Sequence, residues 1–358
     1  IHLTVVGPEA PLAAGIVDVF RARGLKIFAP TQAAAQLESS KDFAKRFMAR
    51  HKIPTAGFET FTDAAAAHEY IDRQGAPIVI KADGLAAGKG VIVTSDRDAA
   101  IDHAMKFISM GILVEEFLDG QEVSLFFLSD GTSVIPLTPA QDFKRAYDND
   151  EGPNTGGMGA YSPLPWLPAG FVEEVEEKVA LPTIEEMARL GAPFIGLLYC
   201  GLIITKRGIR VIEFNARFGD PETQVVLRRL NSSLSNLLYK AATGHLEGVS
   251  DPEFSKDVAI TVVLASEGYP DTSAPNRPIY GIGDAEREGV EVCHAATAWQ
   301  AAKDDGEEAL VATGGRVLSV VATGKDFASA RAQAYAGIEK IQLQGSHYRK
   351  DIAAKVAN

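Results

Sequence analysis

Short apolar runs alternate with amphipathic helical segments through residues 1–250, and this alternation restricts the fold more than any other feature. Residues 1–30 are typical of a strand, a helix and a second strand, with Gly24 where the helix would stop. Residues 62–117 repeat the alternation, and two longer apolar runs, LLYCGLIITK and IRVIEFN, follow. Because such chains bury helices against sheets, the pattern predicts α/β domains.

A further helix is predicted over residues 39–52, SSKDFAKRFMARHK, where Ser39 or Ser40 can cap the start. The helical period of 3.6 residues separates its apolar side chains from its basic ones. The predicted buried stripe consists of Phe43, Ala44, Phe47 and Met48, and the predicted solvent face of Lys41, Lys45, Arg46 and Arg50.

The pattern changes near residue 251. Short runs such as VAITVVLAS and RVLSVVATG precede one helical segment, FASARAQAYAGIEKI, and predict a smaller α+β domain over residues 251–358. Residues 139–165 form a long polar stretch rich in glycine and proline, and such a loop inside a compact domain is usually functional or disordered. We expect three consecutive parts, residues 1–38, 39–250 and 251–358.

Charge and cysteine content exclude several classes of function. The 358 residues carry a net charge of -12, from 35 basic and 47 acidic side chains, so the chain lacks the basic surface that nucleic acid or an anionic membrane requires. No apolar run approaches the roughly 18 residues of a membrane span. Cys200 and Cys293 lie in apolar runs, so we expect two buried thiols and a cytoplasmic location.

The first segment with chemical potential is ADGLAAGKG, which follows the strand-like run that ends at Lys81. Gly84, Gly88 and Gly90 let backbone N–H groups approach a ligand, and Lys81 and Lys89 add positive charge, a combination that suits a polyphosphate. The spacing fits neither a Walker A loop nor GxGxxG. A solvated hairpin turn has the same composition and remains an alternative.

A second segment joins two apolar strands and contains Glu115, Glu116, Phe117 and Leu118, with Glu122 just beyond. Adenine binds backbone donors and acceptors beside an apolar wall, and a ribose diol binds a carboxylate. A linker between strands can offer both. Solvated glutamates at the end of a sheet are the alternative.

A third segment places Asp142, Lys144 and Arg145 almost side by side, before the glycine-dense stretch GPNTGGMG. Such a loop can close on an anion through its backbone N–H groups. A disordered surface loop is the alternative.

The fourth segment is EFNARFGDPE, in which strand alternation puts Glu213 and Asn215 on one face and Phe214 on the other. A carboxylate and an amide oxygen so placed can ligate Mg²⁺, with water and phosphate oxygens completing the shell. Arg217 joins that face if the strand continues, and it could then offset charge on a transferring phosphoryl group. Asp220 followed by proline also resembles a plain helix cap.

Together and in this order, the segments resemble the ATP-grasp superfamily, and more closely the phosphoribosylamine–glycine ligases. The resemblance runs along the whole chain, and GPNTGGMGAY and RFGDPETQ are its most specific strings. It implies an ATP-grasp fold with α/β and α+β domains. Residues 1–38 would be part of an N-terminal Rossmann-like domain, residues 39–250 the ATP-grasp domain with a mobile nucleotide-clamping part at about 53–119, and residues 251–358 a small α+β domain.

The same resemblance implies a reaction in which ATP, glycine and 5-phosphoribosylamine give ADP, phosphate and glycinamide ribonucleotide, with Mg²⁺ or Mn²⁺. Phosphorylation of the glycine carboxylate creates a good leaving group, which the amine then displaces. The implied partners are these small molecules, with no nucleic acid and no membrane, and the protein would be a monomer or weak dimer.

The resemblance also assigns roles to individual residues. Nucleotide contacts fall to Lys41, Lys81, Gly88, Lys89, Gly90, Glu115, Glu116, Phe117, Leu118, Glu122, Arg145 and Asn154. Catalysis falls to Arg217, Lys144 and Asp142, and metal binding to Glu213 and Asn215. Substrate contacts fall to Gly7, Pro8, Glu9, Gly156, Gly157, Asp220, Pro221 and Glu222.

The chain departs from the family pattern in two places. The family begins with a further α/β stretch carrying a glycine-rich phosphate-binding turn, so we expect the phosphoribosylamine site to be incomplete in this sequence. The family also has a longer segment with a flap over the triphosphate between Phe107 and Ile112, where this chain has four residues. Without that flap, ATP would be poorly shielded from water.

Two other functions remain open. One is another ATP-grasp enzyme, such as a purine-pathway carboxylase or a D-alanine ligase relative, against which VGPEAPL and RFGDPETQ argue. The other is a nucleotide-binding remnant without turnover.

Overall fold

The computed structural model describes residues 1–85, 90–301 and 308–357. Its contacts divide the chain into two units that interleave in sequence. The first unit comprises Ile1–Leu137, Leu167–Gly219 and Ser232–Pro252, and the second comprises Thr138–Trp166, Asp220–Asn231 and Glu253–Asn358.

The first unit begins with the predicted α/β arrangement. Strands Thr4–Val5 and Ile27–Phe28 pair in parallel, as expected for two strands joined by a helical crossover. The single helix predicted between them is two helices, Glu9–Ala13 and Ile16–Ala22. Gly15 separates them with φ of 82°, a left-handed conformation that favours glycine and ends the first helix.

The other strands of the first unit form two antiparallel sheets of four strands each. The small sheet has the order Phe58–Phe61, Ile112–Glu116, Ile78–Ala82 and Val91–Thr94. The long sheet has the order Gly208–Asn215, Ile195–Thr205, Gln121–Asp130 and Val134–Pro136. Every strand pair in both sheets is antiparallel.

Two helices of the first unit lie within residues 62–117, where alternating helical segments were predicted. Asp63 and Asp96 cap the helices Ala64–Gln74 and Arg97–Phe107, whose apolar sides form one buried cluster with the small sheet. The remaining helices are Gln36–Ser39, Lys41–Arg50, Phe171–Val175, Leu181–Arg189 and Leu234–Ala242, with the π segment Glu176–Ala180 and the 3₁₀ turn Ile108–Met110.

The second unit is built on a five-stranded sheet that joins distant parts of the chain. Its order is Glu291–His294, Arg316–Gly324, Val258–Ala265, Gly159–Ser162 and Gln141–Asp142. A smaller sheet contains Arg277–Pro278, Glu308–Ala312 and Thr297–Ala301. The helices are Glu222–Val226, Ile282–Arg287, Phe327–Ile338 and Ala354–Ala357, with the 3₁₀ turns Asp148–Asp150 and Leu227–Arg229.

The two cysteines differ in environment. Cys200 is buried, as predicted, and burial raises the pKa of its thiol. Cys293 is exposed, so the prediction of a second buried thiol is wrong. Cys293 lies on Glu291–His294, which is an edge strand of its sheet. Side chains on an edge strand are more open to water than those on central strands.

None of the helices within the described parts of the chain is long and apolar enough to cross a membrane.

Candidate active site

A cluster of three buried charged side chains lies between the small sheet and the helix Lys41–Arg50. Glu115, Lys45 and Lys81 are only 4%, 2% and 3% exposed. Oε2 of Glu115 accepts both ammonium groups, from Lys45 at 2.8 Å and from Lys81 at 3.1 Å. We call this cluster the buried triad. It corrects the prediction that Lys45 faces solvent.

The pKa of Lys45 is lowered to about 8, mainly by burial and also by the Lys81 ammonium, while Glu115 opposes both effects. Lys45 therefore remains mostly charged at neutral pH. Two lysines against one carboxylate give the buried triad more basic than acidic side chains, which suits an anionic ligand.

Lys41 lies at the edge of the same region, as the first residue of its helix. Its Nζ donates to the Gly84 carbonyl at 2.8 Å, and its backbone N–H donates to Oδ1 of Asp83 at 2.6 Å. Burial lowers the pKa of Lys41, while the charge of Glu213 opposes that shift and the charge of Lys81 adds to it. Lys41, Lys81 and Glu213 are therefore electrostatic neighbours.

The predicted glycine-rich loop is described only in part. Gly88 and Lys89 lie outside the described residues. Gly90 is buried, and its carbonyl accepts the Ala82 N–H at 2.7 Å, which closes the base of the hairpin.

The two predicted metal ligands lie on the strand Gly208–Asn215. Phe214 is buried, whereas Glu213 and Asn215 are half-buried, so the alternation predicted from sequence is confirmed. In the chain as described, no group of three or more His, Cys, Asp and Glu side chains could hold a metal ion. One carboxylate and one amide still fit Mg²⁺ or Mn²⁺, provided that phosphate and water oxygens supply the other ligands.

Arg217 comes after the end of that strand, so the condition under which it would join the strand face is not met. Its guanidinium instead lies between two carboxylates, with Nε 3.4 Å from Glu9 and Nη2 3.2 Å from Glu38. Glu38 also accepts the Ala216 N–H at 2.7 Å. Burial raises the pKa of Glu38, and Arg217 opposes that shift. The pairing fixes Arg217 close to the predicted metal ligands.

Gly7 and Pro8 are exposed, and Pro8 stands immediately before the helix Glu9–Ala13. Of these three predicted substrate residues, Glu9 is the one whose side chain the structure brings to another predicted site residue, Arg217.

The predicted adenine segment leaves the small sheet at Glu116. That side chain is exposed and pairs with Arg207 at 3.0 Å. Phe117 is 40% exposed, and Leu118 and Glu122 are half-buried. Glu115 differs from all of them, because it is buried and its Oε1 has no hydrogen-bond partner among the described residues.

In the second unit, the stretch 139–165 is ordered, so the alternative of a disordered loop is wrong. Asp142 ends a short strand opposite Ala160. Arg145–Tyr147 and Glu151–Asn154 pair antiparallel, with Arg145 opposite Asn154. The Lys144 carbonyl accepts both the backbone N–H and the hydroxyl of Thr155, at 2.7 and 2.9 Å. These contacts bring Lys144, Arg145 and Asn154 together.

The glycine pair of this loop lies against the turn that contains Asp220 and Pro221. Gly157 has φ of 111°, and a side chain there would collide with the Pro221 ring. Arg316 donates to the Gly156 carbonyl at 2.9 Å and to the Asp220 carbonyl at 2.6 Å. The structure therefore brings together four predicted substrate residues: Gly156, Gly157, Asp220 and Pro221.

Asp220 does not act as a plain helix cap. The helix Glu222–Val226 has Pro221 at its N-cap without a side-chain cap bond. The Asp220 carboxylate instead lies 3.2 Å from Nη2 of Arg316 and accepts from Gln224 at 2.9 Å. Glu222 is buried, at 3% exposed.

Sequence reasoning missed Lys45, Glu38 and Arg316. Lys45 is three residues before Met48 and one after Ala44, so the helical period puts it at the border of the apolar stripe, and that was an available signal. Glu38 and Arg316 gave no signal, because their partners are far away in sequence.

Family models identify the chain along most of its length. Models of phosphoribosylglycinamide synthetase match its N domain at residues 1–38, its ATP-grasp (A) domain at 39–223 and its C domain at 259–355. The chain belongs to the phosphoribosylglycinamide synthetase family. The phosphoribosylamine–glycine ligase of Leifsonia xyli subsp. xyli is 59% identical over 356 residues, which cover 99% of this chain and 84% of that protein.

Solved structures agree with membership of the phosphoribosylglycinamide synthetase family. The phosphoribosylamine–glycine ligase of Thermotoga maritima matches with a TM-score of 0.81 and 34% identity, covering 91% of this chain and 82% of that one. The biotin carboxylase domain of Hydrogenobacter thermophilus 2-oxoglutarate carboxylase, solved with MgADP, matches with a TM-score of 0.71 and 16% identity, covering 97% and 76%. The second likeness concerns the fold alone, which is ATP-grasp.

Proposed function

We propose that this chain joins glycine to 5-phosphoribosylamine at the expense of ATP, through a glycyl phosphate intermediate. The observation that carries the proposal is the position of Lys81, a member of the buried triad, near both Lys41 and Glu213 in a chain of this family. Lys81 donates to the carbonyl of Ile212, the residue before Glu213, at 3.1 Å, and the charges of Lys81 and Glu213 both act on Lys41. Two ammonium groups and a carboxylate at one place suit a metal-bound polyphosphate.

In the proposed nucleotide site, Lys41 and Lys81 contact the phosphates and residues 115–118 hold adenine. Oε1 of Glu115 is buried and has no hydrogen-bond partner among the described residues, and it supports this assignment because a buried acceptor gains most from a donor on the ligand. The adenine amino group is such a donor. Glu122 is proposed for the ribose, with Gly88, Lys89 and Gly90 as further phosphate contacts.

A divalent cation, Mg²⁺ or Mn²⁺, would be held by Glu213 and Asn215 and would neutralise phosphate charge during transfer. Arg217 would stabilise the charge on the transferring phosphoryl group, and Glu38 and Glu9 already hold its guanidinium in place. The rest of the proposed chemistry is positioning, since an acyl phosphate reacts readily with an amine.

The substrate and acyl-phosphate contacts proposed for the second unit are those of the ordered glycine loop. Asp142, Lys144, Arg145 and Asn154 supply charge and polarity there, and Gly156 and Gly157 supply backbone N–H groups. Asp220, Pro221 and Glu222 are proposed to contact phosphoribosylamine.

The test measures ADP release by the purified protein with MgATP and amino acids offered singly. We expect release that depends on both glycine and 5-phosphoribosylamine, with mass spectrometry detecting glycinamide ribonucleotide. Stimulation by D-alanine or bicarbonate but not by glycine would identify a different ATP-grasp enzyme. No release with both substrates present would mean that the chain binds nucleotide without turnover.

A further inference from the structure

The two lysines of the buried triad share one oxygen of Glu115, yet the rest of their surroundings differ. Lys45 also donates to the Thr55 hydroxyl at 2.8 Å, and that hydroxyl donates to the Val211 carbonyl at 2.7 Å. Lys81 also donates to the Ile212 carbonyl, at 3.1 Å. Lys45 is therefore tied at its tip to a side chain that is itself anchored on the strand Gly208–Asn215.

One ammonium group is enough to compensate one buried carboxylate. If both lysines were needed to compensate Glu115, Lys81 could not bind the phosphates without leaving the buried Glu115 carboxylate undercompensated. An uncompensated buried charge is costly in free energy. Lys45 removes this conflict, because it places a second ammonium group 2.8 Å from Oε2, separate from that of Lys81.

The same contact also sets the direction of the carboxylate. Because both ammonium groups lie on Oε2, Oε1 is the oxygen left without a partner in the described structure, and Glu115 itself is only 4% exposed. A carboxylate anchored at one oxygen presents the other in a fixed position.

We propose that Lys45 is a positioning residue for nucleotide recognition, which fixes the Glu115 carboxylate towards the base and frees Lys81 for the phosphates. This inference rests on the proposed ATP site and adds a residue to it. The chemical consequence is selectivity for a base with an amino donor. A base with an oxo group at that position would place an acceptor against Oε1 and leave both unsatisfied.

Inosine triphosphate is a suitable probe, since it differs from ATP by an oxo group in place of the amino group. The experiment compares kcat/KM for ATP and for inosine triphosphate in the wild-type protein and in Lys45→Met. Methionine has a similar length and no charge. We expect the preference for ATP to fall by about tenfold or more in the variant, as for loss of a hydrogen bond to a charged group. The kcat at saturating ATP should change much less, because Lys45 touches no reacting atom.

Two further variants separate positioning from general damage to the fold. Lys45→Arg keeps the charge and should restore most of the preference for ATP. Thr55→Val keeps all three charged residues and removes the hydroxyl that accepts from Lys45 and donates to the Val211 carbonyl. It should lower the preference by less than Lys45→Met does. Thermal unfolding of each variant is measured in parallel.

An equal loss of kcat/KM with both nucleotides in the Lys45 and Thr55 variants would overturn the proposal, because a purely structural residue has that effect. The wild-type protein is the test of the underlying site. If it turns over both nucleotides equally, the adenine assignment falls and the role of Lys45 falls with it. If it prefers ATP and the variants keep that preference, only the role of Lys45 falls.

Discussion

At the scale of single residues, the metal site gives the sharpest prediction. Glu213→Ala should abolish Mg²⁺-dependent turnover, because the substitution removes the charged ligand of a two-residue site. Stability should change little, since Glu213 is only half-buried, whereas its neighbour Phe214 is buried. Turnover as a function of Mg²⁺ concentration and urea denaturation are the two measurements.

Glu59→Ala is the matched control, because Glu59 is an exposed glutamate on a strand of the small sheet and has no proposed role. It should turn over like the wild-type protein. Wild-type turnover in Glu213→Ala as well would contradict the metal assignment.

Residue environments were predictable where a local period decides them. The half-buried Glu213 and Asn215 on either side of the buried Phe214 follow from strand alternation. Lys45 and Cys293 did not follow from local pattern. A buried lysine requires a carboxylate that arrives from a strand 70 residues later, and the exposure of a thiol in an apolar run depends on its place within the sheet.

At the scale of elements, the segment Arg349 to Asp351 fastens the turn beside Lys144 and Arg145. The Arg349 side chain is fully buried and donates to Asp150 at 2.8 Å and to the Arg145 carbonyl at 3.2 Å. The Lys350 N–H donates to Asp148 at 2.7 Å. The C-terminal region, from which the sequence predicted little chemistry beyond a smaller α+β domain, therefore holds the loop that carries proposed substrate residues.

Arg349→Met should destabilise the protein by about 3 kcal/mol, near the lower end for breaking a buried ion pair because Asp150 is largely exposed. Urea denaturation measures the loss, and amide hydrogen exchange at residues 143–151 shows where it acts. Lys350→Met is the control, since its backbone N–H keeps the bond to Asp148. Unchanged exchange at residues 143–151 in Arg349→Met would show that the segment does not hold the loop.

Most elements were predictable because their caps and periods are local. Ser40 caps the helix Lys41–Arg50 by accepting the Phe43 N–H at 3.1 Å, as one of two expected serines. The order within residues 139–165 was not predictable, because its strands are two to four residues long. Gly159–Ser162 is ordered by pairing with Val258–Ala265, about 100 residues away, and no local pattern encodes such a contact.

At the scale of the whole molecule, the two units interleave along the sequence, and each consists of three separate stretches of chain. Residues 138–166 and 220–231 belong to the second unit although they lie between parts of the first. The division into residues 1–38, 39–250 and 251–358 follows chain order and remains a proposal about domains. A change of pattern along the sequence can show where a different kind of domain begins, but it cannot show which distant stretch of chain completes a sheet.

The proposed nucleotide site depends on tertiary structure. Lys41, Lys81 and Glu213 come from positions far apart in sequence and meet only when the first unit is folded, so the unfolded chain should not bind MgATP. A ligand that binds only the folded state stabilises it by mass action, by about 2.7 kcal/mol at 100 times Kd. We therefore expect MgATP to raise the midpoint of thermal unfolding by several degrees.

Removing the metal with a chelator should abolish most of that increase, because the phosphates then lose the cation that joins them to Glu213 and Asn215. Lys81→Met should reduce the increase even with metal present, since a phosphate in a water-poor site loses its ammonium partner. Titration calorimetry on the same samples would show a weaker Kd for ATP. An increase in midpoint that is the same with and without metal, and in the variant, would place nucleotide binding outside these residues.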